Sequence, residues 1–436
     1  MASTDWLSYG CTEIVNTARA RAYAAAYGVE IDCEPCPSLE EALWGTDPDW
    51  QGYSTPAGDD APWFDPAVPE SGRFLGIIGI QFQGLANNPV ERTVIPRIGD
   101  GSFVGALRRT HREINLTLLL VGADECALSW GMAWLAATLR GTACAGSGCT
   151  GDELCFFTCC PCADPLPYDE VGQREIRHLL DVGLVGGPDE NDRYTVPGTG
   201  CTDSAGLCGD PMVSEVSITL AAGRPWFFHT PVPAGGQEWN YITRGTLVRN
   251  YDPDADDCPK IPDCLRDPTC APLPALPTVP VPVDPCYPRG RFNAWRMRFA
   301  YSPVEVTEWL ELVPVLFVET GAKALRRLSV RFIPNPNNVP CQELGSCNAC
   351  GHLVIAYLPP NATLTLDGRV SRAWVDCPSP NGSATSSPNL FGRRGGAFSW
   401  PALECGGSMC VEVYAGADAD DGARVRMELV PRSDLT

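Results

Sequence analysis

The side chains that most often carry out acid-base chemistry are sparse in this sequence. Only four histidines occur in 436 residues. They are His111, His178, His229 and His352. None lies in an HExxH motif, and neither GxSxG nor GxxxxGK[ST] occurs in the chain. His111 and His178 each flank a predicted strand, which favours structural roles, and paired carboxylates such as Asp59 and Asp60 lie in turns. The sequence therefore predicts no catalytic residue and no enzymatic activity.

Cysteine is the exception, because the chain contains 22 of them. Most lie in clusters within loops rich in Gly, Pro and Asp, where a bridge of short span would close a local loop. The candidate structural cysteines are Cys144, Cys149, Cys155, Cys159, Cys160, Cys162, Cys201, Cys208, Cys258, Cys264, Cys270, Cys286, Cys341, Cys347, Cys350, Cys377, Cys405 and Cys410. Cys201 and Cys208 are expected to pair across one polar loop, residues 188–209.

Bound zinc is the alternative to disulfides. A zinc site usually shows two CxxC pairs separated by a loop, and the cluster from Cys144 to Cys162 lacks that pattern. Cys341, Cys347 and Cys350 lie beside His352 in a CxxxxxCxxC arrangement, which is the nearest approach to a zinc set. Only Gly351 separates Cys350 from the imidazole, so a disulfide plus a free thiol is favoured. We predict no metal site and no cofactor, with structural zinc as the alternative.

The amino-acid composition of the chain limits the classes of molecule that it is expected to bind. The formal net charge is -21, which argues against binding nucleic acid through its phosphates, because that mode needs clustered Lys and Arg. The first residues lack a basic segment followed by an apolar one, so no secretory signal is expected. Apolar runs such as 116–121 are far shorter than the ~20 residues of a membrane helix. We expect a soluble protein that is made in the cytosol and does not insert into membranes.

A strand followed directly by a helix organises the first half of the chain. Apolar residues alternate with polar ones from Ile114 to Val121, which predicts a strand with one buried face. Apolar residues then recur every three or four positions, and a helix is predicted from Asp124, as N-cap, to Leu139. Leu119 points away from the buried face, and Trp130 and Trp134 flank the apolar stripe of the helix. These three residues are candidates for a subunit contact, with packing into the domain's own core as the alternative reading of the tryptophans.

The other elements predict a mainly β chain with four parts. Residues 1–70 form an N-terminal arm with a helix over 12–26, and residues 71–251 form a β-sandwich with the helix just described. Residues 252–290 are a Pro- and Cys-rich linker. Residues 291–436 contain eight short predicted strands, typical of a sandwich or jelly roll, and Asp367-Gly368 predicts a hairpin with a type I′ turn.

Several motifs resemble a known family. Arg109-Thr110 and the strand after it, Leu120 to Asp124 (LVGAD), Trp134 to Gly141 (WLAATLRG) and Ala222 to Trp226 (AGRPW) look like minor tail proteins of siphophages that infect actinobacteria. So do GCTEIVN and DDAPWFDP in the N-terminal arm. These proteins are similar to distal tail proteins, the rings that end the tail tube.

The motif Tyr357 to Asn361 (YLPPN), followed by Leu366-Asp-Gly368 and Phe398 to Pro401 (FSWP), looks like the galectin-like second domain of distal tail proteins. The resemblance implies a ring-forming β-sandwich domain followed by a galectin-like β-sandwich. It also implies a structural virion protein that forms a homohexameric ring. Its partners would be the tail tube protein, the tail tip hub and other minor tail proteins, and DNA would pass through an acidic hole. A virion would also account for many cysteines without an export signal, since bridges would form late in oxidising surroundings.

Two other functions are compatible with the sequence. A carbohydrate-binding tail-tip adhesin or receptor-binding adaptor would stack sugars on exposed aromatic rings, and Trp374 and Trp400 are the candidates, although Trp400 between Ser399 and Pro401 favours core packing. A cell-wall hydrolase would require zinc.

Overall fold

The computed structural model describes residues 3–29, 31, 36–44, 50–141, 152–160, 174–195, 211–231, 234–235, 239–251, 291–303, 310–335, 337–344, 349, 351–379, 382–392, 398, 400 and 408–434. The chain divides into two compact units. Unit 1 contains Met1–Thr230 and Arg432–Thr436, and unit 2 contains Pro231–Pro431. Both units are built mainly from β-strands, which confirms the predicted mainly β fold with one prominent helix.

Unit 1 is an antiparallel sheet flanked by helices. Its strands are β1 (Trp6–Tyr9), β2 (Thr12–Asn16), β3 (Phe74–Gln83), β4 (Val90–Glu91), β5 (Val94–Pro96), β6 (Ser102–Val104), β7 (Arg108–Arg109), β8 (Arg112–Gly122), β9 (Asp152–Phe157), β10 (Ile176–Thr195), β11 (Met212–Ala222) and β12 (Phe227–Phe228). The helices are α1 (Thr17–Ala26), α2 (Leu39–Trp44) and α3 (Glu125–Leu139). The main sheet has the strand order β2, β1, β9, β10, β11, β8, β3, and β12 also pairs with β10.

The central strand and helix match the sequence prediction. Strand β8 lies between β11 and β3, and its buried residues alternate with half-buried ones from Ile114 to Leu120. The Asp124 side chain accepts a hydrogen bond from the backbone N–H of Ala127 at 2.8 Å, which caps α3. Gly141 follows the helix at φ +82°, the left-handed conformation that ends many helices.

Two predicted elements of unit 1 are wrong in part. Residues Thr12–Asn16 form strand β2, and only Thr17–Ala26 are helical. The apolar pair Ile14 and Val15 fits either element, and antiparallel pairing with β1, which places Leu7 opposite Val15, decides for the strand. The polar loop predicted from Pro188 begins later, because β10 continues to Thr195 through a series of register shifts against β11.

Unit 2 is a β-sandwich. Its strands are β13 (Ala234–Gly235), β14 (Asn240–Tyr241), β15 (Thr246–Tyr251), β16 (Phe292–Pro303), β17 (Glu311–Glu319), β18 (Leu325–Pro334), β19 (Gly351–Leu358), β20 (Thr363–Asp367), β21 (Arg372–Ser379), β22 (Gly382–Ser386), β23 (Leu390–Phe391), β24 (Met409–Gly416) and β25 (Arg424–Ser433). One sheet has the order β14, β25, β17, β20, β21, β22, and the other has β16, β24, β18, β19, β23, with β13 and β15 both paired to β16. Apolar side chains of both sheets form one core. Each of the eight strands predicted beyond residue 291 is present.

The predicted hairpin at Asp367-Gly368 exists, but its turn type is wrong. Asp367 pairs with Arg372, so the loop contains four residues, and the positive φ is at Ser371 (+53°). Gly368 has a different role. Its N–H donates to the carbonyl of Pro314 at 3.1 Å, and a Cβ there would lie 2.7 Å from that oxygen. A glycine is therefore required by close packing against β17 rather than by a type I′ turn.

The disulfides among the described residues join distant segments. Cys36 is bonded to Cys160, 124 residues away, and Cys341 to Cys410, 69 residues away. The expectation of local bridges is therefore wrong for Cys160, Cys341 and Cys410, because packing between segments distant in the sequence, and not loop spacing, brings these thiols together. Cys341 is also excluded as a zinc ligand beside His352, whose Nε2 instead lies 2.8 Å from Ser329 Oγ.

Many candidate cysteines fall outside the described residues. They are Cys144, Cys149, Cys162, Cys201, Cys208, Cys258, Cys264, Cys270, Cys286, Cys347, Cys350 and Cys405. Cys155 and Cys377 carry half-buried thiols that are not in disulfides, and the Cys159 thiol lies 3.4 Å from Glu175 Oε2. Pairing of the remaining cysteines stays a prediction.

The division into units differs from the four predicted parts. Residues before 70 belong to unit 1, where they supply β1 and β2 to the main sheet and also form α1. Strand β15 pairs with β16 and belongs to unit 2. The predicted linker, residues 252–290, lies outside the described residues.

Candidate interaction surface

Residues 90–109, which we call the arm, form a long hairpin between β3 and β8. Strand β4 pairs with β7 near the base, and β5 pairs with β6 farther out, with Ile95 opposite Phe103. The turn at the tip closes through the N–H of Arg97, which donates to the Gly101 carbonyl at 3.1 Å. Gly99 and Gly101 both have positive φ, so the tight turn depends on glycine.

The arm is exposed along its whole length and carries several large apolar side chains. Val94, Ile95, Phe103 and Val104 each expose 58–62% of their surface, and Ile98 at the tip is fully exposed. Every residue of the arm is exposed. Large apolar side chains concentrated on one protruding element are typical of a surface that another molecule covers.

Arg112 fixes the base of the arm. Its side chain is buried, and its guanidinium donates hydrogen bonds to five backbone carbonyls, those of Gly84, Leu85, Asn87, Pro225 and Asp434. The nitrogen–oxygen distances are 3.0 Å to Gly84, 2.9 Å to Leu85 and 2.8 Å to Asp434. Its Cζ also lies 4.1 Å from the centre of the Phe227 ring. One planar cation therefore ties the chain before the arm to β12 and to residue 434.

A second arginine supports the same base. Arg109 makes two hydrogen bonds to the carboxylate of Asp434, at 2.8 and 3.0 Å, in the bidentate geometry that orders both side chains. The N–H of Thr110 donates to the Pro89 carbonyl at 2.9 Å across the hairpin base. The base is held by these contacts, whereas the tip is solvated.

The charge of the arm is opposite to that of the chain. The arm contains four arginines and two carboxylates, whereas the whole chain has a net charge of -21. The arm is therefore a basic element with large apolar side chains on an acidic protein.

Leu119, Trp130 and Trp134, predicted to form a subunit contact, are half-buried and pack against the core of unit 1. The indole N–H of Trp130 donates to the carbonyl of Trp63 at 3.2 Å, and the ring of Trp134 lies edge-on to that of Trp63 at 5.7 Å. The segment before β3 therefore covers part of these side chains, and the remainder is solvated. A subunit contact through them stays a prediction.

The arm itself was missed by sequence reasoning. The Asn87-Asn88-Pro89 turn and the Gly99-Asp-Gly101 turn are readable in the sequence, and a short apolar run lies on each side of the second turn. Two short runs around a Gly-containing turn are a hairpin signal. Nothing in those runs distinguishes a hairpin that joins a sheet from one that projects into solvent.

The aromatic candidates for sugar binding differ in environment. Trp400 packs against the core of unit 2, with its ring 4.9 Å from that of Phe398. Trp374 lies on β21 opposite Thr365 and is half-buried.

Comparisons with known proteins find a likeness among solved structures. No protein-family model matches the chain, and no curated protein matches it. Among solved structures, the chain is similar to the crystal structure of the SPP1 Dit (gp 19.1) protein, described as a paradigm of the hub adsorption apparatus in phages that infect Gram-positive bacteria. The TM-score is 0.33 and the sequence identity 10%, over 82% of this chain and 93% of that chain. A TM-score of this size does not establish a common fold. No helix in the described part of the chain is long and apolar enough to cross a membrane.

Proposed function

We propose that this chain is a structural protein of a phage tail tip, and that six copies form a distal tail ring joining the tail tube to the tip complex. The sequence motifs that resemble minor tail proteins support the tail assignment. The observation that carries the assembly is the arm, an exposed apolar hairpin with a firmly held base. In this proposal the protein acts by binding other tail proteins and catalyses no reaction.

The arm supports assembly for an energetic reason. A row of exposed Val, Ile and Phe side chains is unfavourable in water and invites non-specific association unless a partner covers it. The clamp at Arg112 fixes the base of the arm, so less conformational entropy is lost when the arm docks. The arginines of the arm favour an acidic partner, and another copy of this chain is acidic.

A ring can form if the arm of each copy binds the next copy of the chain. An arm that docks on a different surface of its neighbour makes a head-to-tail contact, and such contacts close into a ring when the rotation permits. We propose the half-exposed indoles of Trp130 and Trp134 as part of the receiving surface, because Trp is enriched at the centres of interfaces.

The test is the mass of the full chain in solution, measured by light scattering. The unmodified protein should have about six times the 46.9 kDa mass of one chain. The double variant Ile95→Glu, Phe103→Glu should be monomeric, because it places two carboxylates in the apolar surface of the arm without touching a buried side chain.

The matched control is Val185→Glu, which alters an equally exposed apolar residue on β10 outside the arm. It should assemble as the unmodified protein does. A fully assembled double variant would show that the arm is not the contact, and a monomeric unmodified protein at micromolar concentration would contradict the ring.

A further inference from the structure

Three potential metal ligands from two neighbouring strands meet on one face of the sheet in unit 1. They are Glu153 and Cys155 of β9 and His178 of β10. The strand register produces this meeting, because Cys155 is directly opposite His178 on one side and Ser8 of β1 on the other. Glu153 precedes Cys155 by two positions and therefore projects to the same face.

The donor atoms of the three side chains converge. His178 Nδ1 lies 2.6 Å from Glu153 Oε1 and 3.2 Å from Cys155 Sγ, and all three donor atoms lie within 4.8 Å of one another. In a tetrahedral zinc site, ligand atoms about 2.0 to 2.3 Å from the metal are about 3.3 to 3.6 Å apart. Side-chain movements of less than about 1 Å would therefore bring the three atoms to this spacing.

Nδ1 of His178 faces both the Glu153 carboxylate and the Cys155 thiol. This arrangement differs from that of a catalytic triad. In a nucleophile–histidine–carboxylate triad the two ring nitrogens have separate partners, one for the nucleophile and the other for the carboxylate. Here Glu153 and Cys155 both approach Nδ1, which carries at most one proton. A cation bound by all three groups would satisfy them together.

The charges of the three side chains and their exposure to solvent are also suitable for binding a divalent ion. Glu153 and His178 expose 36% and 28% of their side chains, so an ion can reach them from solvent. A divalent ion with one thiolate, one carboxylate and one neutral imidazole has no net charge.

We propose that Glu153, Cys155 and His178 bind a divalent transition metal ion of the zinc type, with water as the fourth ligand. On binding, the Cys155 S–H loses its proton to solvent and a sulfur–metal bond forms, while His178 ligates through Nδ1 and keeps its proton on Nε2. Glu153 ligates through a carboxylate oxygen, and no redox change occurs. Such an ion would join β9 to β10. This inference is independent of the proposed assembly.

The test measures zinc bound by the full-length protein after dialysis, by elemental analysis, and Co²⁺ binding, by the thiolate-to-cobalt absorption band. Cys155→Ser and His178→Gln should each remove one equivalent of zinc and weaken Co²⁺ binding by more than about 10-fold. Cys126→Ser, at an exposed thiol on α3, is the control and should change neither. The difference between variants separates this site from any zinc held by other cysteines.

Zinc protection of the unmodified protein provides a second measurement, which does not depend on the folding of any variant. Zinc should slow alkylation of Cys155, followed by peptide mass spectrometry, and leave alkylation of Cys126 unchanged. Equal zinc content in the unmodified protein and folded Cys155→Ser, or equal alkylation of Cys155 with and without zinc, would overturn the proposal.

Discussion

Replacing Arg112 by Met should unfold the base of the arm and strongly destabilise unit 1. Met retains an apolar side chain of similar length but no donor, so five buried or half-buried carbonyls lose their partner. The residue lies at the start of β8 and is 1% exposed. Water can reach the buried carbonyls of Leu85 and Pro225 only if the surrounding chain opens.

The magnitude follows from two opposing contributions. At about 1.5 kcal/mol for each bond from a charged donor, five carbonyls contribute about 7 kcal/mol to the stability of unit 1. Burial lowers the pKa of Arg112 to about 10. This unfavourable desolvation offsets about 3 kcal/mol of the stabilisation from the hydrogen bonds. The variant should therefore be less stable by about 4 kcal/mol, which agrees with the ~3 to 5 kcal/mol typical of breaking a buried charged network.

The assays are urea unfolding followed by tryptophan fluorescence and amide hydrogen exchange read by mass spectrometry. Exchange should increase most in peptides that contain Thr110, whose N–H closes the hairpin base, and in peptides that contain Asp434. Arg112→Lys should have an intermediate effect, because an ammonium has three donors and cannot match the planar fork. Arg108→Met, at an exposed arginine of the arm, is the control and should change stability by no more than about 0.5 kcal/mol.

A loss below about 1 kcal/mol for Arg112→Met, with unchanged exchange at the base of the arm, would refute the reasoning. It would mean that these carbonyls are solvated in the native state and that the guanidinium does not hold the arm.

Three other predictions concern packing, disulfides and assembly. Glu412→Gln should destabilise unit 2 by about 3 kcal/mol or more in urea unfolding, because the fully buried carboxylate lies 2.6 Å from the Arg298 guanidinium, which would remain buried. Reduction of the Cys36–Cys160 bridge should lower the stability of unit 1 by about 4 to 5 kcal/mol, since it closes a loop of 124 residues, and a Cys36→Ser variant should be insensitive to reductant at this site. Trp130→Glu should stay folded, judged by its thermal transition, and shift the mass in solution toward monomer; a folded variant that remains assembled would exclude α3 from the subunit contact.

Elements with strong local signals were predictable from the sequence. Strand β8 and helix α3 are specified by alternation, by a capping aspartate and by a terminal glycine, and all three signals act within a few residues of the element that they define. Eight strands of unit 2, those beyond residue 291 with clear alternation and turn signals, were predictable for the same reason. The Thr12–Asn16 segment was not, because its two apolar residues fit a helix or a strand equally well and pairing with β1 selects the strand.

Features that depend on strand register could not be predicted from the sequence. His178 and Cys155 are brought together by the pairing of β9 with β10, and no local pattern encodes which residues of two strands lie opposite each other. The Cys36–Cys160 and Cys341–Cys410 bridges depend on the same kind of long-range placement. Cysteine spacing alone predicts local loops, and this prediction fails where packing between distant segments brings two thiols together.

The arm depends both on local sequence signals and on contacts between residues distant in the sequence. Its turns and short strands are local, yet its base is held by Arg109 and Arg112, and both use Asp434, more than 300 positions later in the sequence. Arg432 and Ser433 bring Asp434 there by pairing with β12, within unit 1. The native contacts at the base of the arm thus require residues 432–434 to be in place in this unit. A surface that must not associate before folding is complete gains from that dependence, because exposed apolar hairpins on unfinished chains promote aggregation. The proposed contact between copies is accordingly coupled to the folding of the whole of unit 1, and not only to the hairpin that makes it.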